Sequence, residues 1–200
     1  MTGSSKAKEF LAPVVVLTAI CLVVSAALAF TYKVANPIIV ENTAAAARAA
    51  RAELLPEADD FTDLTASAEL VETDGGKVSV TETYAADNGA GYVFTVVTAS
   101  FGGKLTMMVG VDADGAVTGI KVTDHSDTPG VGTKDQDPDY LAQYTGLAAL
   151  NSPDSVKKES SVTSSGEPFA YISGASVSGT AIHKGVAAAL AQFAKMGGES

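Results

Sequence analysis

The sequence has no tryptophan, one cysteine and two histidines in 200 residues. With Cys21 alone, a disulfide framework, a cysteine zinc cluster, an iron–sulfur centre and a Cys-x-x-Cys-His haem attachment are all excluded. Redox chemistry would have to use an organic cofactor or a partner's metal. Hydrolase chemistry finds no footing either, because Gly174-Ala175-Ser176-Val177-Ser178-Gly179 misses the nucleophile-elbow spacing by one residue. His125 and His183 read as a loop and a helix-surface residue rather than as a catalytic base. Basic residues are scarce: 13 Lys and Arg against 23 Asp and Glu give a formal net charge of −10. Nucleic acid, which needs clustered cations, is not the partner of such a surface.

Charge is also missing locally. Leu11 to Tyr32 is a run of 22 residues without a formal charge, enough to cross ~30 Å of hydrocarbon at ~1.5 Å per residue. Lys6, Lys8 and the small-x-small Ala27-Leu28-Ala29 would also suit a secretory signal. The run, however, exceeds the ~7–15 residues of a signal core and ends on Phe30 and Tyr32 as retained anchors do, so the reading favours an anchor. Lys6 and Lys8 before the span, with acidic sequence after it, put the N-terminus in the cytoplasm and the bulk outside. The expected organisation is a cytoplasmic tail over 1–10, a transmembrane helix over 11–32, a linker helix over 33–56 and one domain over 57–200. Within the linker, Asn36-Pro37 is expected to interrupt the helix, and the Ala-rich Glu41–Leu55 to form a second one that stops at Pro56. Ala58-Asp59-Asp60 is loop.

Beyond Lys77 the pattern turns to period two. Val78 to Tyr84 alternates, Gly91 to Ser100 is a continuous β-rich run suited to burial on both faces, and Leu105, Met107, Val109 and Val111 share one face. Asp112-Ala113-Asp114-Gly115 is a hairpin turn leading back into Val117–Asp124; as a calcium loop its glycine comes too early and its closing Glu is missing. Asp135, Asp137 and Asp139 read as a helix start, Asp137 capping and Pro138 at N1, rather than as a metal cluster. Pro168 to Ile172 is expected to be the last strand, and Ile182, Val186, Leu190 and Phe193 the core stripe of a closing helix. The fold class is α+β: an antiparallel meander with helices packed on one side, behind a single N-terminal transmembrane helix.

Two loops stand out chemically. Tyr171 to Ile182 reads as strand, tight turn and helix start, with no bulky side chain between Ser173 and Thr180 except Val177, and with Ser176, Ser178 and Thr180 each able to cap the helix. Unsatisfied N–H groups and the dipole at such a terminus favour a phosphate. His125-Ser126-Asp127-Thr128-Pro129-Gly130-Val131-Gly132-Thr133-Lys134 is the second, with proline and two glycines that fix a backbone path against which a planar ring could lie. Its spacing is not that of a P-loop.

Ser173-Gly174-Ala175-Ser176-Val177-Ser178 resembles the S-G-A-T-x-[ST] flavinylation motif of the FMN-binding domain shared by the G subunit of the Rnf electron-transport complex and the C subunit of the sodium-pumping NADH:quinone reductase. His125 to Gly132 resembles the same family's H-S-E-T-P-G-L-G segment, with Asp127 for Glu and Val131 for Leu. Leu54-Leu55-Pro56, Gly91-Tyr92, Phe101 to Leu105 and Met108 to Asp112 are similar to it as well, so the resemblance runs from the anchor to the final helix. It implies FMN joined by a phosphoester to Ser176, which stands where the family has Thr. It further implies contacts to the cofactor from Ser173, Gly174, Ala175, Val177, Ser178 and Thr180, and from Thr128, Gly130, Val131, Gly132 and Lys134. The activity implied is electron transfer within a membrane-bound, ion-translocating ferredoxin:NAD oxidoreductase of Rnf type. Its implied partners are the other subunits and a flavin transferase, and no metal is expected. The alternative readings are the C subunit of the quinone reductase and an anchored binding module without flavin.

Overall fold

The structure, a computed structural model, describes residues 3–197. The chain divides into two compact units, one ending at Arg48 and the other starting at Ala49. One helix, α1 (Gly3–Leu54), runs through the boundary with Pro13 and Pro37 inside it, so Asn36-Pro37 does not interrupt the helix as its sequence suggested. A proline removes one backbone bond and strains one turn, a cost of ~3 kcal/mol. Long helical segments on either side, Ala-rich beyond Glu41, carry propagation across it. From Leu11 the helix is long and apolar enough to cross a membrane, and its large side chains from Leu11 to Val40 are exposed. Thr18, Thr31 and Thr43 turn their hydroxyls back onto the carbonyls four residues earlier, at 2.8, 3.0 and 2.8 Å, as hydroxyl side chains do in apolar helices.

The second unit is built on an antiparallel sheet: β1 (Phe61–Asp63), β2 (Glu72–Thr73), β3 (Val78–Ala86), β4 (Gly91–Ala99), β5 (Lys104–Asp112) and β6 (Val117–His125). The order is β1-β3-β4-β5-β6, with β2 also pairing β3, and every pairing is antiparallel. The expected meander is therefore present. Asp112 Oδ1 closes its last hairpin by accepting the N–H groups of Asp114 and Ala116 at 3.0 and 2.8 Å. A bulge between Val80 and Glu82 shifts the register of β3, which breaks the clean alternation read over Val78–Tyr84.

Helices cover both faces of the sheet, not one. On the first lies α3 (Ser176–Gly197), whose Ile182, Val186 and Ala189 are buried with Phe94, Val96, Met107 and Val109. Gly185 lets the backbones close in, since a Cβ there would stand 1.9 Å from Met107 Cε and 3.0 Å from Thr98 Cγ2. The expected stripe continues to Phe193, whose ring meets Tyr92 edge-on at 5.8 Å. The opposite face receives the last turn of α1. Leu54 lies against Gly110 and Gly119, its carbonyl accepts Thr118 Oγ1 at 2.5 Å, and the Arg51 guanidinium sits 3.9 Å over the Tyr84 ring. This second cover explains why Val93, paired with Gly110, is as buried as Phe94 beside it.

Three further expectations change. Pro168–Ile172 forms no strand, only a bridge from Pro168 to Val162. The free edge of β6 is engaged at its first residue, Val117 N–H donating to Leu147 O and Gly146 N–H to Val117 O at 2.9 and 2.8 Å. Phe169 instead packs on Tyr144 and His183, each with ring centres 4.9 Å away. His183 is buried rather than on the helix surface. Its Nε2 lies 3.1 Å from Ser152 O, and a carbonyl can only accept, so Nε2 carries the proton and Nδ1 receives the Tyr144 hydroxyl at 3.3 Å. Burial holds its pKa below the usual histidine value. Asp137 does precede the short helix α2 (Pro138–Leu141) with Pro138 in its first turn, but the Asp137 side chain makes no capping bond. Its carbonyl takes the N–H groups of Tyr140 and Leu141 instead, both at 3.0 Å.

Candidate functional site

Three loops meet at the start of α3. The first is the β4–β5 turn, where Phe101 is 79% exposed. The second is 126–132, anchored by the buried Asp127, which accepts the Ser100 hydroxyl at 2.6 Å and the Gly102 N–H at 2.8 Å. Gly102 has to be glycine, because a Cβ would fall 2.1 Å from Ser126 O. Beyond Asp127 the chain coils, Thr128 O accepting Val131 and Gly132 N–H at 3.2 and 3.1 Å. Gly130 has φ +76, and its N–H donates to Thr133 Oγ1 at 2.9 Å.

The third loop is Ser173-Gly174-Ala175, a turn with Gly174 at φ +92 closed by Ala175 N–H to Ile172 O at 3.0 Å. Helix α3 begins at Ser176 itself. Ser178 and Thr180 thus lie within its first turns instead of at the cap. The second loop meets the first turn of α3 at Gly132, where a Cβ would come 2.9 Å from Asp127 Cβ and 3.0 Å from Ser178 Oγ.

Two hollows open on either side of Val177. One, of about 190 Å³, is walled by Phe101, Thr128, Val131, Gly132, Ala175 and Val177, with Asp127, Gly174 and Ser178 completing it. Its rim is apolar and bare to solvent, Val131 being 49% and Val177 53% exposed. The other, of about 430 Å³, holds Ser176 and Thr180 among Lys77, Lys157, Lys184 and Asp74. Of the residues singled out from sequence, Ser176 and Thr180 face the charged hollow, while Thr128, Val131, Gly132, Gly174, Ala175 and Ser178 line the apolar one. Ser173, Gly130 and Lys134 are exposed and line neither hollow.

Sequence reasoning missed Phe101 and the lysines. A large apolar side chain in a Phe-Gly-Gly turn was a signal available for the first. Only Lys184, eight residues after Ser176 on a helix, could have been placed from spacing. Asp135 was read as part of a helix start, yet it lies fully buried beneath the first turn of α3 and neither of its carboxylate oxygens is hydrogen-bonded. Burial pushes its pKa up to about 6, and the Gly179 amide, already bonded to Ala175 O, offsets this only in part. The Tyr140 hydroxyl, also raised by burial, to about 12, shares that pocket beside Gly179. No cluster of His, Cys, Asp or Glu able to hold a metal occurs among the described residues.

A mostly apolar hollow next to a cationic one, the two meeting at Val177 beside the serine that opens α3, fits a molecule with a planar ring at one end and a phosphate at the other. Flavin mononucleotide has that form, and residues 100–191 match the FMN-binding domain family. Every loop of the apolar hollow falls inside the match, whereas Asp74 and Lys77 precede it.

The chain belongs to the family of the G subunits of the ion-translocating oxidoreductase complexes. It is 33% identical over 142 residues to the G subunit of the Na(+)-translocating ferredoxin:NAD(+) oxidoreductase complex of Acetobacterium woodii, covering 67% of this chain and 68% of that one. It is 29% identical over 181 residues to the G subunit of the ion-translocating oxidoreductase complex of Methanosarcina acetivorans, covering 89% and 91%. The corresponding G subunit of Stutzerimonas stutzeri is 27% identical over 174 residues, covering 86% and 75%.

Proposed function

We propose that this chain carries FMN joined by a phosphoester to Ser176 Oγ and passes electrons as one subunit of a membrane-bound, ion-translocating ferredoxin:NAD oxidoreductase. The observation that carries the reading is the placement of the Ser176 hydroxyl, on the first residue of α3, in a lysine-lined hollow next to an apolar one. Bound flavin would supply the electron chemistry. The chain's own residues would hold it: Phe101, Val131 and Val177 give apolar surface to the ring, and the N–H groups at the α3 terminus face the phosphate. Ser176 has no acid–base duty. Attachment replaces the Ser176 O–H bond with an O–P bond while the bond from the flavin phosphorus to its activating phosphate breaks, the serine proton passing to a base of the enzyme that catalyses the transfer, so a flavin transferase belongs among the partners, with the other subunits of the complex.

The reading also places the second unit outside the cytoplasm, on the strength of Lys6 and Lys8 ahead of the uncharged span. A covalent tether suits that side, where a cofactor that dissociates is lost.

The test is chemical. Expressed with a flavin transferase, the parent chain should remain fluorescent after denaturation and show a single flavin adduct in its intact mass. Ser176→Ala should lose the adduct completely and Ser176→Thr should keep it. A covalent flavin retained in folded Ser176→Ala would move the attachment to Ser173, Ser178 or Thr180, and no adduct on the parent would favour a binding module without flavin.

A further inference from the structure

The whole chain carries a net charge of −10, yet the hollow beside Ser176 sets three ammonium groups, from Lys77, Lys157 and Lys184, against the one carboxylate of Asp74. Local charge therefore runs opposite to the global balance, and it does so around the hydroxyl that the proposed function uses. Ser176, Thr180 and Lys184 recur every four residues and so share one face of α3. Lys184 is steered as well as present. Its Nζ lies 2.7 Å from Asp74 Oδ2, with the side chain 27% exposed.

Asp74 reaches Lys184 from an unusual turn. It has φ +53, the one non-glycine with a left-handed backbone among the described residues, and Gly75 and Gly76 follow at φ +63 and +86. Such conformations are disfavoured and persist where their surroundings hold them, often at binding sites. The same turn delivers Lys77 to the hollow. On the opposite rim, Lys157 Nζ sits 4.8 Å over the Tyr171 ring, which restrains its head group near the Ser173–Ser176 turn.

We propose that this hollow is an anion site for the phosphoryl group carried on Ser176, with Lys184 its positioning residue and Lys77 and Lys157 completing the charge. The proposal rests on the reading of Ser176 given above and extends it to selectivity. Three lysines less one aspartate leave about two positive charges, more than the one negative charge of the phosphodiester that would join flavin to Ser176, so the hollow stays cationic with the phosphoryl group in place. The site would thus favour phosphorylated flavins over the uncharged riboflavin at the acceptor hydroxyl. Asp74 would keep Lys184 extended toward Ser176 while the hollow is open, and share it with the phosphate afterwards.

Two measurements test this on the full chain in detergent micelles. In the first, the unmodified protein is titrated with inorganic phosphate and amide shifts are followed from Ser176 to Lys184. The parent should show saturable shifts, weakened at least tenfold in Lys184→Met and recovered in Lys184→Arg. Because Lys77 and Lys157 are exposed, the Lys77→Met, Lys157→Met double variant leaves packing alone and should weaken binding too. In the second, intact mass after coexpression with a flavin transferase should show a reduced flavinylated fraction in Lys184→Met, restored by Lys184→Arg. Saturable phosphate shifts in a parent that takes no flavin would uphold the anion site and end the Ser176 attachment. No phosphate shift in the parent, or full flavinylation of both lysine variants, would overturn the anion site and leave the attachment standing.

Discussion

Asp135 shows how a single buried group can set a pH dependence. Its carboxyl is raised to about 6 by burial under α3, so between about pH 4 and 6 the folded chain holds a proton that the unfolded chain has released. Stability contributed by the neutral form is therefore lost as pH rises through that window. Asp135→Asn removes the ionisation. Relative to the parent, the variant should gain stability from pH 4 to 6, by no more than ~1.4 kcal/mol per pH unit, and hold a constant difference above pH 7. Urea unfolding of the two chains at a series of pH values measures it, and parallel curves would deny that Asp135 is neutral in the folded state. His183 works in the opposite sense: its lowered pKa means that acid below its ordinary value of 6.5 weakens the fold. Neither group declared itself in the sequence. An aspartate in a Lys-Asp-Gln-Asp run and a histidine in an Ala-rich helix look like surface residues until tertiary packing covers them.

Loops and strands were more legible where local patterns decide them. The four long strands and the Asp112 turn follow from alternation and turn chemistry, and the fixed backbone path of the 126–132 loop from its proline and two glycines. Pro168–Ile172 makes only a bridge from Pro168 to Val162, and its Phe169 is drawn into the Tyr144 and His183 cluster, a tertiary contact that local pattern does not show. The two glycines of the 126–132 loop were indistinguishable by sequence and differ in the structure. Nothing lies within 4 Å of a Cβ on Gly130, so Gly130→Ala meets only its backbone φ of +76 and should cost about 1 kcal/mol in unfolding. Gly132 has ordinary φ but no room against Asp127 and Ser178. Gly132→Ala should push the loop off the first turn of α3 and shift the visible spectrum of bound flavin, while Gly130→Ala leaves that spectrum in place. Equal spectra for both variants would take this loop out of the flavin's surroundings.

Across the molecule, the charged hollow draws on residues 74–77, 157 and 176–184, separations that no sequence window spans, which is why only Ser176, Val177 and Thr180 were read from it. The anchor, by contrast, is written in one run of residues. If the second unit is extracytoplasmic, a cysteine placed at Ser164 should react with an impermeant maleimide on intact cells, and one at Ser4 should not; protection of both would reverse the orientation.

The helix that bears Ser176 follows all six strands in the sequence, and this order has a consequence for biogenesis. During synthesis the sheet face bearing Phe94, Val96, Met107 and Val109 must wait uncovered for residues 176–197, an interval in which apolar surface invites aggregation and chaperone capture. The acceptor serine arrives with the segment that ends this interval. A prematurely terminated chain would lack both, so flavin attachment, if it occurs at Ser176, would label only molecules whose translation and closure are complete.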